Sequence, residues 1–467
     1  MLGEAKRRGT PQPTFVPTIQ GSSESSPSQG EVLSDAKRRG TPQPTFVPTI
    51  HGSSESSPSQ GEVLSEAKRR GPPQHAFTPA IQGSSESSPS QGEVLSEAKR
   101  RGTPRHAFVP AATTQLCYPR ARSRSSPGAM RFQHVAIEAL VTEVPETVIT
   151  TASLERMMGR TYQRLGLQPG FLEMLTGIRA RRFWDAGVQP SDAATIAARK
   201  VLSNTGVNPD DIGILINTSV CKDYLEPSTA ALVHGNLGLG RRCLNFDVGN
   251  ACLGFLSGMT VVANMIELGQ IKAGMVVAGE GSRDVTRATV RRLMQPSTNM
   301  GQMRDNIATL TLGSASAAML LVHDSIATTP HRFIGGTVLA ATEHNRLCVG
   351  TPDRMTTDPT TLLKEGVKLA GEAWAVMQQE LGLGHADMTR YALHQVGKAN
   401  HDAVCAALSV PPDKALRVYP DIGNVGACGV PLALSGSVQR GWLKEGDNAA
   451  LMGIGSGLNT AMMVVRW

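Results

Sequence analysis

The chain has 467 residues, 40% of them hydrophobic, and a net charge of +7, a length that can bury more than one core. It contains no run of about 18 apolar residues, which excludes a membrane-spanning helix, and Met1 to Arg8 lacks the apolar stretch of a secretory leader. Seven cysteines stand singly without a CxxC pair, which argues against a disulfide framework or a zinc site and for a reducing cytoplasm.

The charge is unevenly placed. Residues 1–129 hold 16 Lys+Arg against 10 Asp+Glu, whereas residues 130–467 hold 30 against 29, so the near-neutral remainder offers no electrostatic footprint for nucleic acid. The first segment repeats every 31 residues: Ala5-Lys6-Arg7-Arg8-Gly9 returns at Ala36, Ala67 and Ala98. Each copy has only scattered apolar residues such as Phe15, Val16 and Ile19, too few to offset chain entropy, so a disordered tail is expected over 1–129. The functional alternative is an array of basic and Pro-rich motifs that recruits a partner. The change of texture at Met130 is also what a mis-assigned start would produce.

From Met130 the pattern is that of an α/β protein. Arg131 to Leu140 predicts a strand, Thr151 a capped helix with an acid in its first turns, 176–184 a basic turn, and Ser191 the cap of a helix with Ala193, Ala197 and Val201 on one face. Ile214 to Val220 and Cys243 to Val248 predict strands on either side of a helix opened by Pro227. From Cys252 to Leu268 the residues are apolar almost all round, predicting a buried helix, and Ala273 to Gly279 a further strand. Residues 283–307, polar and rich in Arg and Met, predict an insertion. A second series follows: strands from Thr309 and Arg332, a helix over 362–381, the strand Arg390 to His394, helices from Lys398 and Pro431, and strands at 448–454 and 460–465. The alternation predicts a mainly parallel sheet with helices on its faces. Matching series suggest two similar halves, 130–307 and 308–467.

Phe246-Asp247-Val248-Gly249-Asn250-Ala251-Cys252 runs from a strand through a sharp turn into the buried helix. A thiol at a helix start faces unpaired N–H groups and the positive end of the dipole, which favours thiolate. The plainer alternative is a small buried hydrophobe. Leu393-His394-Gln395, Gly423-Asn424-Val425-Gly426 and Gly453-Ile454-Gly455-Ser456-Gly457 all fall at predicted strand ends, where α/β folds place their sites. Cys, His and Asn together suit acyl transfer, in which a thiolate accepts the acyl group and the other two donate to a thioester oxygen turning negative.

With Asn217-Thr218-Ser219-Val220, Asp223 to Ala230 and Leu451 to Asn459, these motifs make residues 130–467 resemble a thiolase-superfamily condensing enzyme of the ketoacyl synthase III branch. Within it the chain is most similar to the OleA group, which condenses two acyl-CoAs in bacterial olefin biosynthesis. The resemblance implies a five-layered αβαβα fold of two pseudo-symmetric halves, a homodimer, fatty acyl-CoA substrates, and no metal or other cofactor. It also implies downstream hydrocarbon-forming enzymes as partners. By position it makes Cys252 the acylated nucleophile, His394 and Asn424 the oxyanion pair, Gly455 and Ser456 the active-site turn, and Glu226 the base lent across the dimer interface to remove an α-proton. Arg179, Arg181 and Arg182 fall near the coenzyme A entrance it implies. Glu226 tilts the reading toward non-decarboxylative condensation; a malonyl-using synthase III and a non-catalytic scaffold are the alternatives. Glu226 could instead serve only a helix start. Val396-Gly397 after His394-Gln395, and Ala427-Cys428 after Gly426, depart from carrier-protein-dependent synthases.

Overall fold

The structure, a computed structural model, describes residues 129–467; the repeats expected to be disordered lie outside them. The first half opens with β1 (Ala129–Arg131) and β2 (Val135–Glu143), where the sequence predicts one strand. The interruption has a cause: the Glu267 carboxylate accepts the N–H groups of both Gln133 and His134, removing them from strand pairing. Next come β3 (Thr147–Thr150), α1 (Thr151–Met157), α2 (Gly159–Leu165), α3 (Phe171–Thr176) and β4 (Ala180–Phe183). The second part of the predicted basic turn is therefore strand, paired antiparallel with β3. The acid predicted to favour the start of α1, Glu155, is buried and caps α3 instead, accepting from Gly170 and Leu172.

Then follow α4 (Pro190–Thr205), β5 (Ile212–Asn217), α5 (Thr229–Leu237), β6 (Leu244–Asp247), a 3-10 turn (Ala251–Leu253), α6 (Gly254–Glu267) and β7 (Ala273–Glu280). Two predicted starts move. Gln189, bonded by Asp192, caps α4 ahead of Ser191, and Ser228 caps α5, leaving Pro227 before the helix. The predicted insertion is two helices, α7 (Arg283–Leu293) and α8 (Met300–Leu310). Their Val290, Leu293, Met303 and Leu310 form one core with Leu154, Met158, Tyr162 and Leu172. The strand predicted from Thr309 begins only at β8 (Ala315–His323), which pairs with β2 and β7 of the first half. The second half comprises β9 (Arg332–Ala340), the hairpin β10 (Cys348–Thr351) and β11 (Arg354–Thr357), α9 (Pro359–Leu381), β12 (Arg390–Leu393) and α10 (Lys398–Ala407). It continues through α11 (Tyr419–Ile422), a 3-10 turn (Gly426–Cys428), α12 (Gly429–Gln439), β13 (Asn448–Gly455) and β14 (Asn459–Arg466).

The strands run in the order β12-β13-β14-β9-β2-β8-β7-β5-β6, with β1 on β9, and the halves join at β9, which pairs with β1 at three positions and with β2 at Ala136–Arg332. Only β5–β6, β5–β7 and β12–β13 are parallel, so the sheet is mixed, not mainly parallel. A three-residue link between β13 and β14 can close only an antiparallel pair. Three cores give the layering. Helices α4 and α5 pack on one half-sheet, α6 and α12 fill the centre between both, and α9 and α10 cover the other, giving helix, sheet, helix, sheet, helix. The halves correspond: each central helix follows a 3-10 turn entered at positive φ, Ala251 at 46° and Gly426 at 53°.

Helix α6 carries the nucleophile motif and buries Phe255, Leu256, Met259, Val262 and Ile266, each burial contributing about 1.5–3 kcal/mol. It lies against the end of β5 because position 254 is glycine: a Cβ there would stand 2.4 Å from the Thr218 carbonyl oxygen. Gly254→Ala is expected to push the helix off that carbonyl and destabilise the protein by about 1–3 kcal/mol, read as a lower urea midpoint at unchanged slope. An unchanged midpoint would show that the contact is loose.

Candidate active site

Cys252 lies in the 3-10 turn before α6 rather than in the helix itself. The residue before it, Ala251, has φ of 46°, a conformation rare outside glycine that concentrates at functional turns. Its neighbour Asn250 is fastened at both ends: Nδ2 donates to Ser257 Oγ at 3.0 Å, and Oδ1 accepts from Asn459 Nδ2 at 2.9 Å. The turn carrying the thiol is thereby tied to its own helix and to β14.

The expected dipole-stabilised thiolate is not what the surroundings favour. Withdrawal from water pushes the Cys252 thiol up to about 12, and the negative charge of Glu280 adds to the rise. These terms outweigh the helix start, so the resting group is a thiol whose proton must leave when the sulfur is acylated.

His394 follows β12 and is buried, 7% exposed. Burial holds its imidazole neutral, with the pKa lowered to about 4. Neither ring nitrogen has a hydrogen-bond partner among the described residues, a costly state for a buried polar group and one a ligand relieves. Gly429 at the head of α12 makes room, since a Cβ there would lie 3.1 Å from Nδ1. Asn424 is 5% exposed; its backbone is held by Thr311 and Gly313. Its Oδ1 accepts the Gly426 N–H at 3.1 Å, which leaves the Nδ2 donor end for another acceptor.

The 3-10 turn of Cys252 packs against the matching turn after Asn424, and β13 packs against it too. A Cβ on Gly455 would lie 3.1 Å from Leu253 Cγ, and Ser456 continues from it into the turn between β13 and β14. The structure therefore gathers the Cys252, His394, Asn424 and Gly455 segments at the centre of the fold. A thiol, a neutral imidazole and an amide donor there can form an acyl thioester and bind its oxygen.

Glu226 is not among them. It is exposed, in the loop between β5 and α5, flanked by Tyr224 (58% exposed) and Leu225 (98%). It does not open a helix, because α5 starts at Thr229 and has no acid in its first turn. The loop's roots are firm: Asp223 accepts the Ser191 N–H, and Asp247 accepts those of Thr229 and Ala230. The arginines differ. Arg179 is exposed and forms a bidentate pair with Asp421. Arg181 is buried, bonded to Thr151 Oγ1 and the Leu310 carbonyl, and Arg182 donates to the carbonyls of Pro145 and Glu146. Asn250, Asn459 and Glu280 received no role from sequence. The first two stand inside the motifs that surround Cys252 and Ser456.

Two family models match the chain: 3-oxoacyl-[acyl-carrier-protein] synthase III over residues 246–339 and its C-terminal domain over 378–467. An acyl-CoA:acyl-CoA alkyltransferase of Xanthomonas campestris is 42% identical over 339 residues, spanning 72% of this chain and 100% of the relative. The chain belongs to the OleA-type acyl-CoA:acyl-CoA alkyltransferase family. The Shewanella oneidensis member is 37% identical over 350 residues, while a β-ketoacyl synthase III of Koribacter versatilis is 28% identical. A crystal structure of Xanthomonas campestris OleA superimposes with a TM-score of 0.71 at 41% identity, covering 72% of this chain and 98% of that one. That form alters a glutamate; others alter a cysteine or a histidine, and one contains cerulenin. The chain is thus a thiol-dependent condensing acyltransferase of the thiolase superfamily. Among its described residues no helix is long and apolar enough to cross a membrane.

Proposed function

We propose that this enzyme condenses two fatty acyl-CoAs head to head without decarboxylation, through an acyl thioester on Cys252. The observation that carries the proposal is a spacing: the glutamate, cysteine and histidine altered in the Xanthomonas campestris OleA structures are separated along that chain as Glu226, Cys252 and His394 are along this one. In the first step the Cys252 sulfur attacks the thioester carbon, the bond to coenzyme A breaks, and the thiol proton leaves on the released coenzyme A. His394 and Asn424 donate to the oxygen that becomes negative. In the second step Glu226 removes the α-proton of another acyl-CoA, the resulting carbanion attacks the Cys252 thioester, and the sulfur departs to regain its proton. Hydrolysis of the β-ketoacyl-CoA by water gives the β-keto acid. Gly455 and Ser456 shape the turn beside the sulfur, and Arg179, the most exposed of the three arginines, suits the coenzyme A entrance.

Glu226 meets such a site in a homodimer. Strand β6 ends the sheet and leaves Leu244 53% and Phe246 41% exposed, an unprotected apolar edge of the kind that pairs with another chain. The neighbouring Tyr224 and Leu225 extend the same apolar character to the loop that carries Glu226. Phe246→Asp is expected to elute as a monomer in size-exclusion chromatography and to lose condensation; a dimeric Phe246→Asp would move the interface elsewhere. The cytoplasm is the compartment that fits unpaired thiols and coenzyme A thioesters, and enzymes that reduce or decarboxylate β-keto acids are the downstream partners.

The decisive assay supplies one long-chain acyl-CoA to the purified protein. Free coenzyme A together with β-keto acid, or the ketone left by its decarboxylation, is the expected result. Silence until a malonyl donor is added would make the protein a decarboxylating synthase, and acyl loading with no condensation under either condition would overturn both.

A further inference from the structure

Glu280, the last residue of β7, is 4% exposed and takes no part in the chemistry above. Among the described residues no Lys, Arg or His pairs with its carboxylate. Backbone amides surround it instead. Oε1 accepts from Val220 at 2.9 Å and Ala427 at 3.1 Å, and Oε2 accepts from Cys221 at 3.2 Å. Val220 and Cys221 begin the loop that leads to Glu226. Ala427 belongs to the turn in which Gly426 N–H orients the Asn424 side chain. Position 426 must be glycine for this arrangement: φ is 53°, and a Cβ would lie 2.8 Å from Glu280 Oε1. The strand end itself is fastened by Trp184, whose indole N–H donates to the Glu280 carbonyl at 3.0 Å.

We propose that Glu280 is a positioning residue, a buried carboxylate clasp that sets the Glu226 loop and the Asn424 turn relative to one another. This rests on the condensing reading, because only there do both segments act in one reaction. A neutral side chain would satisfy the amides less well, since a carboxylate offers acceptors on both oxygens. Burial pushes the Glu280 carboxyl above its usual range, and the amides of Val220, Ala427 and Cys221 act against that rise; the titratable groups that face it are the thiols of Cys221, Cys252 and Cys428, pushed up first by burial and then by its charge.

The test is Glu280→Gln, which is isosteric. Its Oε1 keeps the Val220 and Ala427 amides, while its NH₂ confronts the Cys221 N–H and the negative charge is gone. Three readouts separate positioning from general damage. Acyl loading of Cys252 from acyl-CoA, followed by intact mass, is expected to persist. Condensation is expected to fall by about 10²-fold, the effect of misplacing a reacting group by about 1 Å. The pH at which iodoacetamide alkylates Cys252 is expected to move downward, because a neighbouring negative charge has been removed; this readout needs no substrate and stands if the condensing reading fails. Should Glu280→Gln not fold, Gly426→Ala presses on the carboxylate from the opposite side, through the turn that orients Asn424, and is expected to lower both loading and condensation. Wild-type condensation by either folded variant, or an alkylation profile unmoved in Glu280→Gln, overturns the proposal.

Discussion

Cys252→Ala is expected to fold like the wild type while forming neither acyl-enzyme nor β-keto product from any acyl-CoA. The substitution removes one sulfur from a partly exposed turn and leaves α6 anchored by Phe255, Leu256 and Met259, so stability changes little. Chemistry stops because the acyl group must be carried on that sulfur before the carbanion can attack it. The remaining donors, His394 and Asn424, bind a thioester oxygen but attack nothing. Intact mass after incubation with acyl-CoA checks the first step, and release of coenzyme A checks both. A residual acyl adduct would direct attention to another thiol. Cys348 is the nearest alternative in kind, partly exposed and close enough to act electrostatically on Cys252. Cys221 and Cys428 are poorer nucleophiles, their thiols driven up by burial beside Glu280.

Much of this site was legible because its parts are short motifs at strand ends. The turn before α6 announces itself by a strand pattern, Gly249-Asn250, and then a run apolar on all faces; His394 and Asn424 stand in comparably bounded contexts. The protonation state of Cys252 was not legible, since a helix start visible in sequence argued for thiolate while the opposing burial and the charge of Glu280 come from segments distant in the chain. The bond between Asn459 and Asn250 joins residues 209 apart, and nothing in either segment names the other. Strand direction failed for a related reason. Parallel and antiparallel partners in the centre of a fold are equally apolar, as β7 and β8 are, so direction depends on connections that composition does not distinguish. At β4 the arginines read as a basic turn, yet Arg181 turns inward and finds a hydroxyl and a carbonyl.

Glu226→Gln is expected to gain the mass of one acyl group and then stall. Loading needs the sulfur and its oxyanion donors, none of which Glu226 touches, whereas the α-proton of a thioester is removed only by a positioned base. Losing a general base costs about 10²- to 10⁴-fold, well beyond what a surface substitution does to folding, since Glu226 is exposed and its loop is held at the roots by Asp223 and Asp247. The proposed homodimer adds a stricter demand. If the base of one protomer serves the thiol of its partner, mixing Cys252→Ala subunits with Glu226→Gln subunits creates a hybrid in which one site receives an intact Cys252 and an intact Glu226. Random reassociation of the two variants would then recover about a quarter of wild-type condensation, because half the dimers are hybrids and each has one working site of two. Neither variant alone regains activity. A mixture that reassociates, verified by tagged subunits, and stays inactive would confine Glu226 to its own protomer, and near wild-type condensation by Glu226→Gln alone would remove it from the reaction.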